Sequence, residues 1–397
     1  MYVCRRSTAP IVAQKILKLL LVLTGIIAAC LLGFIGLIML SFAGASVVSM
    51  GVCVAFTILI VAYIFLKSYD LLSPSSIKAR RWIIAAGVLA IGIDQGYKYY
   101  VNQLTVIDDQ ALMLEDYQPF KAQTKAISLH EPSTLKLTTE LPRMDGATAL
   151  YPLYSAFAMA VYPNKEYNKD TSEVQCDNTI HAYEQLVDDR ADVIFVAGPS
   201  EQQLDYARKK GIELQLHPIG KEAFVFFVNK NNKVDALSLD QIRNIYSGLI
   251  LNWQDLGGSW REIKAFQRPE GSGSQTMLVK IMKNKKLAIP PKDEIIGGMG
   301  GIIEETASYR NFGNAIGYSF LFYATQMVKN NEIKVLKVNG VYPDKASVRD
   351  GSYPLSAQFY AVTKAKPPAQ VTKLINWLKG PQGQYLVEKT GYVPLNH

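Results

Sequence analysis

Two long runs without a single charge, Leu19 to Phe42 and Val47 to Leu66, restrict this chain more than any other feature of it. Each is long enough to cross the roughly 30 Å of hydrocarbon in a bilayer as a helix. Lipid demands a helix there, because every backbone N–H and C=O must find its partner within the segment. Only the small-residue turn Ala43-Gly44-Ala45-Ser46 separates the two runs. A hydrophilic loop, Lys67 to Arg81, follows, and Trp82 opens a third apolar run that passes through Asp94 and closes in Tyr97, Tyr99 and Tyr100. Trp and Tyr at its ends suit the two interfaces, and Lys98 can extend its ammonium to the headgroups.

Charge orients these spans. The first hundred residues carry nine Lys and Arg against only Asp70 and Asp94, which is nearly all of the chain's formal +8. Arg5, Arg6, Lys15 and Lys18 mark one cytoplasmic side and the Lys67–Arg81 loop marks the next, so three spans put everything after Asn102 on the outer face. A cleavable signal peptide has a shorter apolar region and no second span, so a retained anchor is expected. Asp94, near the outer end, reads as an interfacial residue. The rest of the chain is close to neutral, which gives no basic face for phosphate backbones, and no nucleic-acid partner is expected. Of the four cysteines only Cys176 lies outside the N-terminal region, no CxxC or Cys/His spacing occurs, and the four histidines are dispersed. Neither a metal site nor a cofactor is expected.

Residues 103–134 are polar, punctuated by Pro119 and Pro132, and read as a linker or a strap. Beyond them strands and helices alternate. Strands are expected at Leu135–Thr139, Val174–Cys176, Asp192–Ala197, Glu213–Ile219, Ala223–Val228, Ile263–Phe266, Asn314–Phe320, Ile333–Val338 and Gln358–Val362. Helices are expected at Leu150–Val161, Ile180–Leu186, Glu201–Lys210, Ser238–Tyr246, Val371–Lys379 and Gln382–Thr390. Such alternation argues an α/β sheet covered by helices on both faces, with ligands at the carboxyl ends of strands.

One junction is the most suggestive. Ile263–Phe266 runs into Gln267-Arg268-Pro269-Glu270-Gly271-Ser272-Gly273-Ser274-Gln275-Thr276, and an amphipathic helix leaves it. The first N–H groups of a helix lack intrahelical acceptors and its dipole makes that end electropositive. Gly271 and Gly273 allow close backbone approach, Ser272, Ser274 and Thr276 add hydroxyls, and Arg268 adds a forked cation. By itself such a turn is also how an ordinary helix begins. Two more strand-to-helix turns share its character, Gly146-Ala147-Thr148 and Asp177-Asn178-Thr179, and three donor-rich turns suggest one shared anion. No GxxxxGK[ST], HExxH, G-x-S-x-G or Rossmann glycine pattern is present. The glycine run Gly297–Gly301 lacks a Lys-Ser/Thr and reads as a turn.

From about Leu135 onward the chain resembles the phosphate-binding proteins of phosphate ABC importers, which are two-lobed type II solute-binding proteins. The resemblance rests on Asp145-Gly146-Ala147-Thr148-Ala149-Leu150-Tyr151-Pro152, Val161-Tyr162-Pro163, Ala191-Asp192-Val193-Ile194-Phe195 and Gln241 to Gly248 with Asn252-Trp253. Arg268-x-Glu-Gly-Ser-Gly-Ser, Ala315-Ile316-Gly317-Tyr318, Tyr353-Pro354 and Gly380-Pro381-Gln382-Gly383-Gln384 complete it, in the family's order. It implies an α/β, two-lobed type II solute-binding fold, which the apolar runs, outside the resemblance, would precede with about three transmembrane α-helices. Residues 1–102 would be the anchor, with spans near 19–42, 47–66 and 82–101. Residues 103–134 would be a linker and 135–397 the binding domain.

The same resemblance implies a membrane-anchored extracytoplasmic protein that captures inorganic phosphate or a similar oxyanion, with an ABC permease as partner and the lipid bilayer around its anchor. Carried over residue by residue, the ligand contacts fall on Thr148, Ala149, Asn178, Thr179, Arg268, Glu270, Ser272, Gly273 and Ser274. One departure stands out. Where the family has a carboxylate after the strand at Asp192–Ala197, to accept the phosphate proton, this chain has Gly198-Pro199-Ser200. Reading of the ligand's proton then falls to Glu270 or Asp145. A receptor without a transport role and a phosphoester hydrolase using Ser272 are the alternative readings. The second lacks a base or metal set, and an enzyme is not expected.

Overall fold

The chain divides into two units, Met1–Gln103 and Leu104–His397. The computed structural model describes residues 9–42, 47–69, a subset of positions between 81 and 100, 105–107, 114–289, 309–310, 312–327 and 332–395.

In the first unit, α1 (Ala9–Phe42) and α2 (Val47–Ser68) form a helical pair. Small residues let them approach: a Cβ on Gly33 would stand 2.3 Å from the Thr57 hydroxyl, and one on Gly36 would stand 3.3 Å from the Cys53 sulfur. Thr57 satisfies its own hydroxyl on Cys53 O, 2.8 Å away, so the contact brings no unpaired polar group into an apolar setting. Among the described residues, Lys15–Met39 is the one stretch both long and apolar enough to cross a membrane. The expectation of about three such helices is met for one of them among the described residues. The described positions of the third segment, among them Trp82, Gly87 and Leu89, are helical, while Asp94 lies outside the described residues.

The second unit is built along one strand. In order it contains β1 (Thr105–Ile107), β2 (Met144–Gly146), a 3-10 turn at Thr148–Leu150, α3 (Tyr151–Val161), α4 (Asn178–Val187), β3 (Val193–Ala197) and α5 (Glu201–Lys209). Then come β4 (Leu214–Asn229), β5 (Ala236–Leu237), α6 (Leu239–Tyr246), β6 (Lys264–Ala265), α7 (Gly273–Met282), β7 (Tyr309–Arg310) and β8 (Ala315–Phe320). β9 (Ile333–Val335), β10 (Lys337–Val338), α8 (Lys345–Arg349), β11 (Ser356–Lys364), α9 (Ala369–Lys379) and α10 (Pro381–Thr390) complete it. The main sheet has seven strands in the order β2-β3-β11-β4-β8-β6, with β9 also on β4.

Sequence reading divides β4 in two, because Gly220-Lys221-Glu222 looks like a break. The structure runs it through as one strand of 16 residues. Leu214 to Ala223 pairs with β11, and Phe224 to Asn229 pairs with β8 and β9. Gly220 is required where the chain passes: a Cβ there would meet the Phe359 ring at 2.5 Å. The two halves serve different cores. Leu153, Tyr154, Phe157, Phe195, Leu374 and Trp377 make the first lobe, beneath α3, α9 and α10. Phe224 to Val228, Ile242, Tyr246, Leu278, Ile316 and Tyr318 make the second. Chain returns to the first lobe at Leu355–Ser356, directly beside the outward crossing, where Phe224 N donates to Leu355 O at 2.9 Å. β8 lies wholly in the second lobe.

At the crossing sits Glu222, a buried carboxyl whose Oε1 accepts from Phe322 N at 2.6 Å. Burial pushes its pKa up to about 8. Leu135–Thr139, expected as a strand, is irregular, though Leu137 is buried and its N–H bonds Val161 O. Leu114, Tyr117, Phe120, Ile127 and Leu129 pack on the first core, so residues 114–129 strap that lobe rather than run free. The Gly297–Gly301 turn lies outside the described residues.

Candidate functional site

β2 and β3 are parallel neighbours, Gly146 opposite Phe195, so their carboxyl ends open at the same edge. The chain leaving β2 turns at once into the 3-10 turn and α3. Ala147 N is tied to Phe195 O at 2.9 Å, which fixes the turn and brings the Thr148 and Ala149 amides to the start of a helix. Ala149 packs against the second lobe's core, and its carbonyl accepts from the Tyr392 hydroxyl. The first of the three donor-rich turns therefore touches both lobes.

The second turn begins α4. Asn178 has φ 68 and bends its side chain back onto the helix, where Oδ1 accepts from Ile180 N at 2.9 Å and His181 N at 3.3 Å. Its amide side chain is thus a cap, which is what Asn does at such positions. Thr179 follows, 8 % exposed. The third turn begins α7. Ser272 is its N-cap, Oγ accepting from Gln275 N at 3.2 Å. Among the described residues the backbone N–H groups of Gly273 and Ser274 have no acceptor, as first-turn donors.

The structure brings the second and third turns together across the lobes. A Cβ on Gly273 would stand 3.3 Å from both the Thr179 hydroxyl and the Ala197 methyl. Only glycine permits that approach without displacing Thr179. Gln203 Nε2, from α5 of the first lobe, donates to Gly271 O at 3.0 Å and holds the turn down. Arg268 N donates to Tyr318 Oη at 2.8 Å and Gln275 Oε1 at 2.9 Å, and its Nε is buried. Of the residues read from the sequence, Thr179, Gly273 and the Arg268 turn gather here, and Thr148 and Ala149 open the neighbouring helix.

The two carboxylates part company. Glu270 is exposed on the turn, so water screens it. Asp145 is fully buried at the end of β2. Its Oδ1 accepts from Gly146 N at 2.7 Å and from Asp177 N at 2.8 Å, which ties the first turn to the second, while Oδ2 is buried with no hydrogen-bond partner among the described residues. Burial raises its pKa to about 7. Sequence reading missed one contributor. Gly273, Thr276, Met277 and Lys280 stand at i, i+3, i+4 and i+7 on one face of α7, a spacing visible in the sequence. That face borders a cavity of about 480 Å³ that also contains Gly198, Lys221 and Tyr360.

Two lobes on a shared strand, with helix starts from each meeting at the cleft, define a two-lobed binding protein. A family model for the PBP superfamily domain matches residues 137–381, and the chain belongs to that superfamily. Among curated proteins it is 26% identical over 191 residues to the phosphate-binding protein PstS of Bacillus subtilis, covering 47% of this chain and 61% of that one. It is 28% identical over 178 residues to the phosphate-binding protein PstS of Borreliella burgdorferi, covering 43% and 63%. The matches span about three-fifths of those relatives' length. Among solved structures it is similar to an ABC-type phosphate transport receptor from Vibrio cholerae, with TM-score 0.46, 16% identity, and 66% of this chain and 100% of that chain covered.

Proposed function

We propose that the second unit is an extracytoplasmic solute-binding domain that captures phosphate or a similar oxyanion between its lobes for ABC-type import. The observation that carries this reading is the meeting of Thr179 and Gly273, one helix start from each lobe. An anion seated there would receive backbone donors from Gly273, Ser274 and Thr179, hydroxyls from Ser272, Ser274 and Thr148, and a charge-assisted bond from Arg268. The Ala149 amide would complete the cradle. Asn178 would act through its backbone and through the cap it provides. Asp145, rather than exposed Glu270, is the group suited to read a proton on the ligand, being buried with one carboxyl oxygen unused.

The names of the curated relatives support phosphate over other oxyanions. Residues 1–102 would be a retained membrane anchor with α1 as its main span, and two further crossings, near 47–66 and 82–101, would leave residues 135–397 outside the cytoplasm. Residues 103–134 would join the two, and a permease would be the partner. Isothermal titration of the full chain in detergent with phosphate, sulfate and molybdate tests the central claim. Heat and a saturable isotherm are expected with phosphate; silence with all three at millimolar concentration would sink it.

A further inference from the structure

The cavity beside the cradle is too large for a lone oxyanion. At about 480 Å³ it falls within the range of sites for organic ligands, roughly 300–1,000 Å³. It shares Gly273 with the cradle, so the two spaces are continuous at the start of α7. One wall is apolar, from Met277, Phe320 and the Tyr360 ring. Thr276, 7 % exposed, lines this space, and its hydroxyl is buried without a hydrogen-bond partner among the described residues. A buried hydroxyl left without a partner costs free energy, which a small shift of this side chain toward a ligand acceptor would recover.

Charge then narrows the occupant. Gly198 stands where the resemblance places a carboxylate, and Lys280 Nζ lies 3.1 Å from the position of a Cβ on it. Lys221, on the crossing strand, is a second ammonium on the same cavity. Lys280 is an exposed residue overall, yet burial of its ammonium end lowers its pKa, opposed by the nearby Glu201 carboxylate. Positive groups thus stand at the point where the cradle meets the cavity. This polarity disfavours nothing on a fully ionised phosphoryl group and attracts a further anion.

We infer that the ligand is an organic phosphate or phosphonate whose substituent carries a second negative charge, held in this cavity by Lys280, Lys221 and Thr276. The inference rests on the oxyanion reading of the cradle, which would take the phosphoryl group. Calorimetry on the full chain in detergent with orthophosphate, methyl phosphate and phosphoglycolate tests it. Phosphoglycolate should bind at least tenfold more tightly than methyl phosphate. In Lys280→Met that ratio should fall toward one, and Thr276→Val should lower it by a smaller factor. Gly198→Asp, whose Cβ would stand 3.1 Å from the flexible end of Lys280 and in ordinary contact with the Tyr360 ring, should reverse the preference. Binding of orthophosphate with no preference for phosphoglycolate, or a preference that survives Lys280→Met, overturns the inference and leaves the cradle standing. No binding of any of the three removes both.

Discussion

The ends of β2 and β3 lie side by side, and they do opposite things with charge. At β2 an acid, Asp145, is sunk completely and fixed through one oxygen by two backbone amides. At β3 the corresponding rim is bare glycine, Gly198, with a lysine from the other lobe resting over it. Adjacent strands of one sheet can therefore divide the recognition of a ligand. One end offers a proton-dependent acid, the other leaves room for something larger and supplies a positive group. The difference also explains why the first end is rigid and the second adaptable, since backbone amides orient Asp145 while Lys280 reaches its place on a flexible stem.

The largest effect is expected from the charge that neither strand end supplies. Arg268→Ala should weaken phosphate binding by about 3 kcal/mol, roughly a hundredfold, as loss of a buried charge partner does; unchanged affinity would mean that neither strand end borders the ligand. Next, Asp145→Asn removes the acid while keeping its shape. Sulfate should gain on phosphate by about tenfold, ~1.4 kcal/mol, in competition titrations. Equal selectivity in the variant and the parent would assign the proton reading elsewhere.

A third effect is on stability. Burial raises Asp145 from 3.8 to about 7 and Glu222 from 4.5 to about 8. In the unfolded chain both lose their protons at lower pH, so across that window the folded state holds more protons. Stability from these groups is then greatest below the unfolded values and is lost as pH rises through the folded ones. The melting temperature should fall by several degrees between about pH 5 and pH 8, and less in Asp145→Asn or Glu222→Gln. A flat profile in the parent would contradict the burial of both. The smallest effect is expected at Glu270: Glu270→Gln should change phosphate affinity within about twofold, because an exposed charge is screened.

How much of this was legible depends on whether the signal was local. Ser272 before Gly273, after a short strand, announces a helix start, and the structure builds one with Ser272 as its cap. The same holds for Ser200 and Ser238, whose capping boxes with Gln203 and Gln241 open α5 and α6 where the sequence puts them. Burial was not legible: Asp145 and Glu270 look alike as letters, and only the packing of β2 against β3 and Tyr154 separates them. Nor was the meeting of Lys280 with Gly198, which depends on how the two lobes face each other. β4 escaped for a further reason. A glycine within a strand usually marks a bulge or a close contact, and at Gly220 it is both, a register shift against β11 and the Phe359 ring.

That uninterrupted strand has a mechanical consequence. Lobes joined by a loose linker turn as on a pin, but these are joined by a ribbon that is hydrogen-bonded into a sheet at both ends. It flexes like a leaf spring, so opening is a shallow bend with a restoring force rather than a free swing. Val393 clips onto the bending segment through paired bonds with Lys221, N to O at 2.7 Å and 2.9 Å. The stiffness of the whole clasp is thus set by a few backbone bonds within the ribbon itself.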